Sequence, residues 1–117
     1  DYNDFKGVLS GMDYVVETYL NGNTWYRKYK SGWIEQGGYT TGQYGGDYSK
    51  QTNVTFLKAF TQTPLQILVS PYTPSYVDGT NFALKAYNAS TTGFVYFWQG
   101  GDNRHYIVGS FWYACGK

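Results

Sequence analysis

Apolar and polar residues alternate along this chain in short runs, and no stretch sustains the spacing of a helix. From Thr24 to Lys30, Trp25, Arg27 and Tyr29 fall on one side while Tyr26, Lys28 and Lys30 fall on the other; from Phe82 to Asn88, Phe82, Leu84 and Ala86 alternate with Ala83, Lys85 and Tyr87. A period of two is the repeat of a pleated strand. Turn signals divide the runs: Asn21-Gly22-Asn23, Ser31-Gly32, the Asp78-Gly79 pair and the polar stretch 99–105. Eight strands are predicted, over residues 13–20, 24–30, 33–40, 51–57, 64–70, 82–88, 93–98 and 106–114. Gly37-Gly38 inside the third marks a bulge or a close backbone approach. In the second strand, Lys28 and Lys30 mark the solvent side. Strands of unequal length, joined by alternating short and long connections, favour an all-β antiparallel sandwich over a barrel.

A chain of 117 residues makes one domain with one core. No apolar run approaches the roughly 20 residues that cross a bilayer as a helix, so the chain is not expected to be membrane-embedded. No signal peptide is evident, and because the chain opens on Asp1 and not on Met, it reads as a piece of a longer polypeptide or a processed product. Residues 1–12 are expected to be a connector and 13–117 the domain. With 9 basic against 8 acidic residues and no basic run longer than Arg27-Lys28, nucleic acid is not an expected partner. The chain's one cysteine, Cys115, sits in an apolar run and reads as a small buried hydrophobe.

Tyrosine is conspicuous: 14 Tyr accompany 7 Phe and 4 Trp. Such rings suit half-buried sheet faces, and their polar tips suit recognition surfaces. One small core does not hold them all, and a large exposed patch invites association. Some rings are therefore expected between subunits, in a closed homotrimer.

Several segments occur in a combination that is specific: Thr24-Trp25-Tyr26-Arg27-Lys28-Tyr29; Ser31-Gly32-Trp33-Ile34-Glu35-Gln36-Gly37-Gly38; Val54-Thr55-Phe56 with Ala59-Phe60; Thr92-Gly93-Phe94; and Trp112-Tyr113-Ala114-Cys115-Gly116. Together they resemble the C-terminal receptor-binding domain of bacteriophage tail-fibre proteins, from about Asp13 to the end. The resemblance implies a β-sandwich at the distal end of a homotrimeric fibre, with residues 1–12 leading to the upstream shaft. The implied partner is a bacterial surface receptor, either lipopolysaccharide, another glycan or an outer-membrane protein. The implied setting is a virion tail fibre or a phage-tail-like particle. The shared motifs read as structural, so no binding residue is carried over from them.

Catalytic chemistry is poorly provided for. Cleaving a glycan usually needs two carboxylates about 5–10 Å apart. Among the acids, Glu35 stands out on its predicted strand, but an ion pair with Arg27 on the neighbouring strand accounts for it, and no second acid is evident. His105 has neither a nucleophile motif nor metal-ligand spacing beside it. No cofactor, metal or catalytic residue is assigned, and the chain is not expected to be an enzyme. The alternatives are a small glycan depolymerase and a carbohydrate-binding module of a bacterial enzyme.

Three polar connections, 41–50, 71–81 and 99–105, carry the candidate ligand-binding residues. Tyr44, Tyr48, Tyr72 and Tyr76 offer stacking faces, while Asp47, Asp78, Asn81, Asp102, Asn103, Arg104 and His105 offer hydrogen bonds. In an antiparallel fold every second connection returns to the same end. These three alternate with 31–32, 58–63 and 89–92, so they are expected to gather at one end, away from the N-terminal connector.

Overall fold

In the computed structural model, which describes residues 1–41, 49–72, 82–100 and 109–117, the alternating runs form eight antiparallel strands. These are β1 (Val15–Asn21), β2 (Thr24–Tyr29), β3 (Ile34–Thr41), β4 (Ser49–Thr55), β5 (Gln66–Tyr72), β6 (Phe82–Tyr87), β7 (Gly93–Gly100) and β8 (Gly109–Gly116). Five make one sheet in the order β1-β2-β3-β8-β5, and three make the other in the order β4-β7-β6. The first hairpin turns on Gly22-Asn23, with Asn21 paired to Thr24 and Gly22 at φ 62°, so only the first central position needs a positive φ. A helix, α1 (Tyr2–Gly11), precedes the sandwich where sequence spacing gave no helix. Its signal is a cap: the Asp1 carboxylate accepts hydrogen bonds from the backbone N–H groups of Asn3 and Asp4, at 2.7 and 3.1 Å.

The core lies between the sheets. Ile34, Trp112 and Ala114 of the five-stranded sheet meet Phe94, Tyr96 and Trp98 of β7, and Phe56 and Phe60 from the β4–β5 connection complete it. Ile67 and Val69 pack against this cluster from β5, and Val54, Leu84 and Ala86 from the smaller sheet. Phe56 sits at the centre of the ring packing, with centroids 5.0 Å from Phe60, 5.8 Å from Phe94 and 5.8 Å from Trp112. The motifs Val54-Thr55-Phe56, Ala59-Phe60, Thr92-Gly93-Phe94 and Trp112-Tyr113-Ala114-Cys115-Gly116 are thus largely core-forming. Cys115 is buried and unpaired, as expected of a small hydrophobe. Leu65, inside the predicted fifth strand at 64–70, lies before β5 begins and is exposed.

Gly37-Gly38 is a close approach and not a bulge. Pairing with β8 runs without interruption through both glycines, pairing with β2 reaches Gly37 in unbroken register, and the register shift of this sheet falls instead between Val15 and Glu17. A Cβ on Gly37 would lie 2.7 Å from the Trp112 carbonyl oxygen and 3.0 Å from the Trp25 indole nitrogen. On the opposite face, a Cβ on Gly38 would lie 2.8 Å from the Trp112 indole nitrogen. Two tryptophans thus close on β3, one over each face. Gly37→Ala should cost about 1–3 kcal/mol through overpacking, because a backbone atom has to move. A lowered urea midpoint with an unchanged slope is the expected readout.

β1 and β2 contribute no residue to the core, since the smaller sheet covers only the β3-β8-β5 part of the larger one. This overhang corrects the solvent-side assignment made from Lys28 and Lys30. Lys28 pairs with core Ile34 and so faces the side where the smaller sheet lies, but beyond its edge. The Trp25-Arg27-Tyr29 face is the outer face of the five-stranded sheet.

Candidate functional site

The register places the ends of the three long connections together. Thr41 pairs with Gly109, which also pairs with Tyr72; in the smaller sheet Ser49 pairs with Gln99 and Phe82 with Gly100. Each connection leaves one sheet and enters the other at this end of the sandwich. The opposite end is closed by backbone hydrogen bonds between its own connections: Phe56 N–H to Thr92 O, Phe60 N–H to Thr91 O, and Thr61 and Gln62 N–H to Lys117 O, all at 2.8–2.9 Å. The alternation of connections therefore holds for the strand ends. Of the candidate ligand-binding residues, Tyr72 is described; Tyr44, Asp47, Tyr48, Tyr76, Asp78, Asn81, Asp102, Asn103, Arg104 and His105 lie outside the described residues.

Tyr72 is part of a ring cluster on the outer face of the five-stranded sheet, beside the loop stems. Its centroid is 4.9 Å from Phe111 and 6.1 Å from Tyr39, and Tyr39 is 5.3 Å from Phe111. Tyr72 and Phe111 remain more than two-fifths exposed. Gly109 makes the cluster possible, because a Cβ there would collide with the Tyr39 hydroxyl. Tyr39 and Phe111 were missed as candidates because they stand on strands. The available signal was their place in strands that abut long polar connections.

The same face continues away from the loop end through Tyr113 and Trp25, whose rings are 6.3 Å apart, with the Arg27 guanidinium 5.6 Å from the Trp25 centroid. Below them lies Glu35. Arg27 is its cross-strand partner, but the carboxylate is held by two hydroxyls, Tyr29 Oη at 2.5 Å and Tyr113 Oη at 2.8 Å. This corrects the expected Arg27–Glu35 ion pair. Arg27 lies against the indole, and the tyrosines occupy both carboxylate oxygens. The bond from Tyr29, then that from Tyr113, holds the Glu35 carboxyl below its ordinary range, with a smaller contribution from the Arg27 charge. The Tyr113 hydroxyl is pushed up, first by burial and then by Glu35.

This arrangement has a pH signature. A depressed carboxyl pKa contributes stability that is complete above the unfolded value, near 4.5, and is lost as pH falls through the folded value. The raised phenol of Tyr113 contributes stability that is complete below its unfolded value, near 10.0, and is lost as pH rises through the folded value. Urea midpoints followed across pH should fall at both ends, and Glu35→Gln should flatten the acid limb.

The other acids of the sandwich that the structure describes are also occupied. Asp13 accepts hydrogen bonds from the Ser31 backbone N–H at 3.0 Å and its hydroxyl at 2.8 Å, which hold its carboxyl low. Glu17 accepts from the Tyr26 hydroxyl and lies 3.3 Å from the Lys58 ammonium; it too is lowered, chiefly by Tyr26. A general acid needs the opposite shift. Among the described residues, no group of three or more His, Cys, Asp or Glu is placed to hold a metal. No described helix is long and apolar enough to cross a membrane.

The fold is that of solved tail-fibre fragments. The chain superposes on an N-truncated R1-type pyocin tail fibre with a TM-score of 0.66 at 18% identity, covering 99% of this chain and 95% of that one. It superposes on a C-terminal fragment of the P. aeruginosa R1 pyocin fibre with a TM-score of 0.64 at 19% identity, covering 87% of this chain and 28% of that one. An N-truncated R2-type pyocin tail fibre gives a TM-score of 0.64 at 16% identity, with all of this chain matched to 43% of that one. No family model matches the sequence, and no curated protein matches it. The eight-stranded antiparallel architecture thus agrees with the tail-fibre resemblance carried by the sequence motifs.

Proposed function

We propose that this chain is the tip domain of a tail fibre, on a phage or phage-tail-like particle, that binds a bacterial surface receptor through the loop end of its sandwich. The observation that carries the reading is the convergence of all three long connections at one end, beside the half-exposed Tyr39–Phe111–Tyr72 cluster. Loops on a rigid two-sheet scaffold are a common place for recognition, because they vary without disturbing the core. The fold likeness to pyocin tail fibres supports the setting. Rings with polar neighbours suit a glycan, either lipopolysaccharide or another surface polysaccharide, and an outer-membrane protein is the other receptor class. Residues 1–12 serve as the connector to a fibre shaft, and the working assembly is a homotrimer. Leu68, Trp25 and Leu20, in one cross-strand row with Tyr113 and Gly37 on the outer face, are suited to the subunit contacts.

The domain binds without cleaving. The carboxylates of Asp13, Glu17 and Glu35 are occupied as hydrogen-bond acceptors and held low, which suits structural anchoring and opposes general-acid work. The purified chain should adsorb to wild-type cells of its host and lose adsorption to strains with truncated surface glycans. Release of new reducing ends from host polysaccharide, abolished by Glu35→Gln, would overturn the binding-only reading. Light scattering should give a trimer, and a stable monomer joined to its upstream shaft would count against that assembly.

A further inference from the structure

The overhang of β1 and β2 leaves a second site on the flank of the domain, away from the loop end. Tyr19 and Tyr26 are cross-strand partners on the inner side of the hairpin, stacked with centroids 5.9 Å apart and planes 22° from parallel. With Leu57 they line a groove of about 300 Å³. That volume is at the small end of the range for small-molecule sites, about 300–1,000 Å³.

The far wall of the groove is held in place from the core. Gln36, fully buried on β3, donates from Nε2 to the Lys58 carbonyl at 2.7 Å and accepts from the Lys58 backbone N–H at 3.2 Å. This two-point clamp fixes the bend that carries Leu57 and Lys58 opposite the hairpin. Leu57 stays 40% exposed and Tyr19 47% exposed. The Lys58 ammonium lies 5.8 Å from the Tyr26 centroid and 3.3 Å from Glu17, whose carboxylate also accepts from the Tyr26 hydroxyl. Lys28, on the same strand face as Tyr26, is near enough that its charge helps to lower the Glu17 carboxyl. Two ammonium groups therefore surround one carboxylate that is already occupied, and the polar rim is net positive.

We infer that this groove binds an acidic pyranose, a sugar ring bearing a carboxylate, with the ring against the tyrosine pair and Leu57 and the acid group toward Lys58 and Lys28. The apolar face of a pyranose packs on aromatic rings, and the net positive rim selects a charged sugar over a neutral one. The inference does not depend on the loop-end reading, since the two sites share no residue.

The test titrates the purified 117-residue chain with glucuronate and, in parallel, with glucose and with inorganic phosphate, following the side-chain resonances of Tyr19, Tyr26 and Leu57 by NMR. Glucuronate should shift all three, bind several-fold more tightly than glucose, and weaken as salt is added. Tyr19→Ala should reduce its affinity at least tenfold, while Tyr72→Ala should leave it unchanged. Lys58→Gln, which keeps the Gln36 clamp to the backbone, should erase the preference over glucose. Failure of glucuronate to shift these resonances overturns the inference, as does equal binding of glucose, as does phosphate alone reproducing the shifts. Shielding of Tyr19 in an assembled trimer, seen by hydroxyl-radical footprinting, also overturns it by assigning the groove to a neighbouring copy. If these outcomes occur while a loop-end variant still abolishes adsorption, the groove falls and the receptor-tip reading stands.

Discussion

Adsorption to host cells should fall to background when Tyr72, Tyr76 and Arg104 are changed together to alanine, while the thermal midpoint and the assembly stay as in the parent chain. Each of the three residues belongs to a connection gathered by the register at one end, or closes the strand beside it. Tyr72 is the structurally defined member. It is half-exposed, it contributes nothing to the core cluster, and its ring packs against Phe111 and Tyr39. Removing an exposed ring and two loop side chains should change stability by little, because surface substitutions away from caps and cores usually stay within about 0.5 kcal/mol each. Binding is different, since a few central aromatic and arginine side chains commonly carry most of the energy, at about 2 kcal/mol or more apiece. Losses of that size compound to three or more orders of magnitude in affinity. Unchanged adsorption by a variant that melts normally would refute the loop-end site. The single change Phe111→Ala then separates platform from contact: a partial loss is expected if the ring only supports Tyr72.

Much of the scaffold was legible because strand chemistry is local. Alternation found all eight strands to within a few residues, and Gly22 and Gly32, both at positive φ, are where the turns were read. Gly37-Gly38 announced crowding, although the cause, a tryptophan on each face, is a tertiary fact. Alternation separates two faces without telling which one is covered. That is why the lysine side was misread: β2 extends past the edge of the smaller sheet, so its lysine face looks inward, toward the bend at Leu57 and Lys58 and not into the core. The Glu35 partner was misread for a related reason. Register put Arg27 directly opposite, but Tyr29 from the neighbouring strand and Tyr113 from β8 reach the carboxylate, and Arg27 turns to the indole. The α1 helix is a single short element with a capping aspartate, too brief for periodicity to declare. At the candidate site, counting connections predicted where the strand ends meet, whereas the ring cluster needed the pairing of β3, β8 and β5 to be known.

Trp112→Ala should be the most damaging single substitution, and it should abolish adsorption by a different route. Trp112 stands on β8, the strand that lies between β3 and β5 in the larger sheet. Only 5% of it is exposed, and its ring lies 5.8 Å from Phe56 and 5.6 Å from Phe94 while covering Gly38. Alanine would leave a void bounded by other rings and by a glycine with no side chain to move in, so the site is poorly able to collapse. Substitutions of this kind cost about 3–5 kcal/mol, against a total stability of about 5–15 kcal/mol for a domain. The variant should therefore show a sharply lowered urea midpoint. Because Gly109 at the start of β8 pairs with the ends of both β3 and β5, loosening this strand also releases two of the loop stems. Trp112→Phe keeps a ring against Phe56 and Phe94 and should recover most of the midpoint together with adsorption. Near-parental stability of Trp112→Ala would mean that the ring packing seen between the sheets does not hold them together.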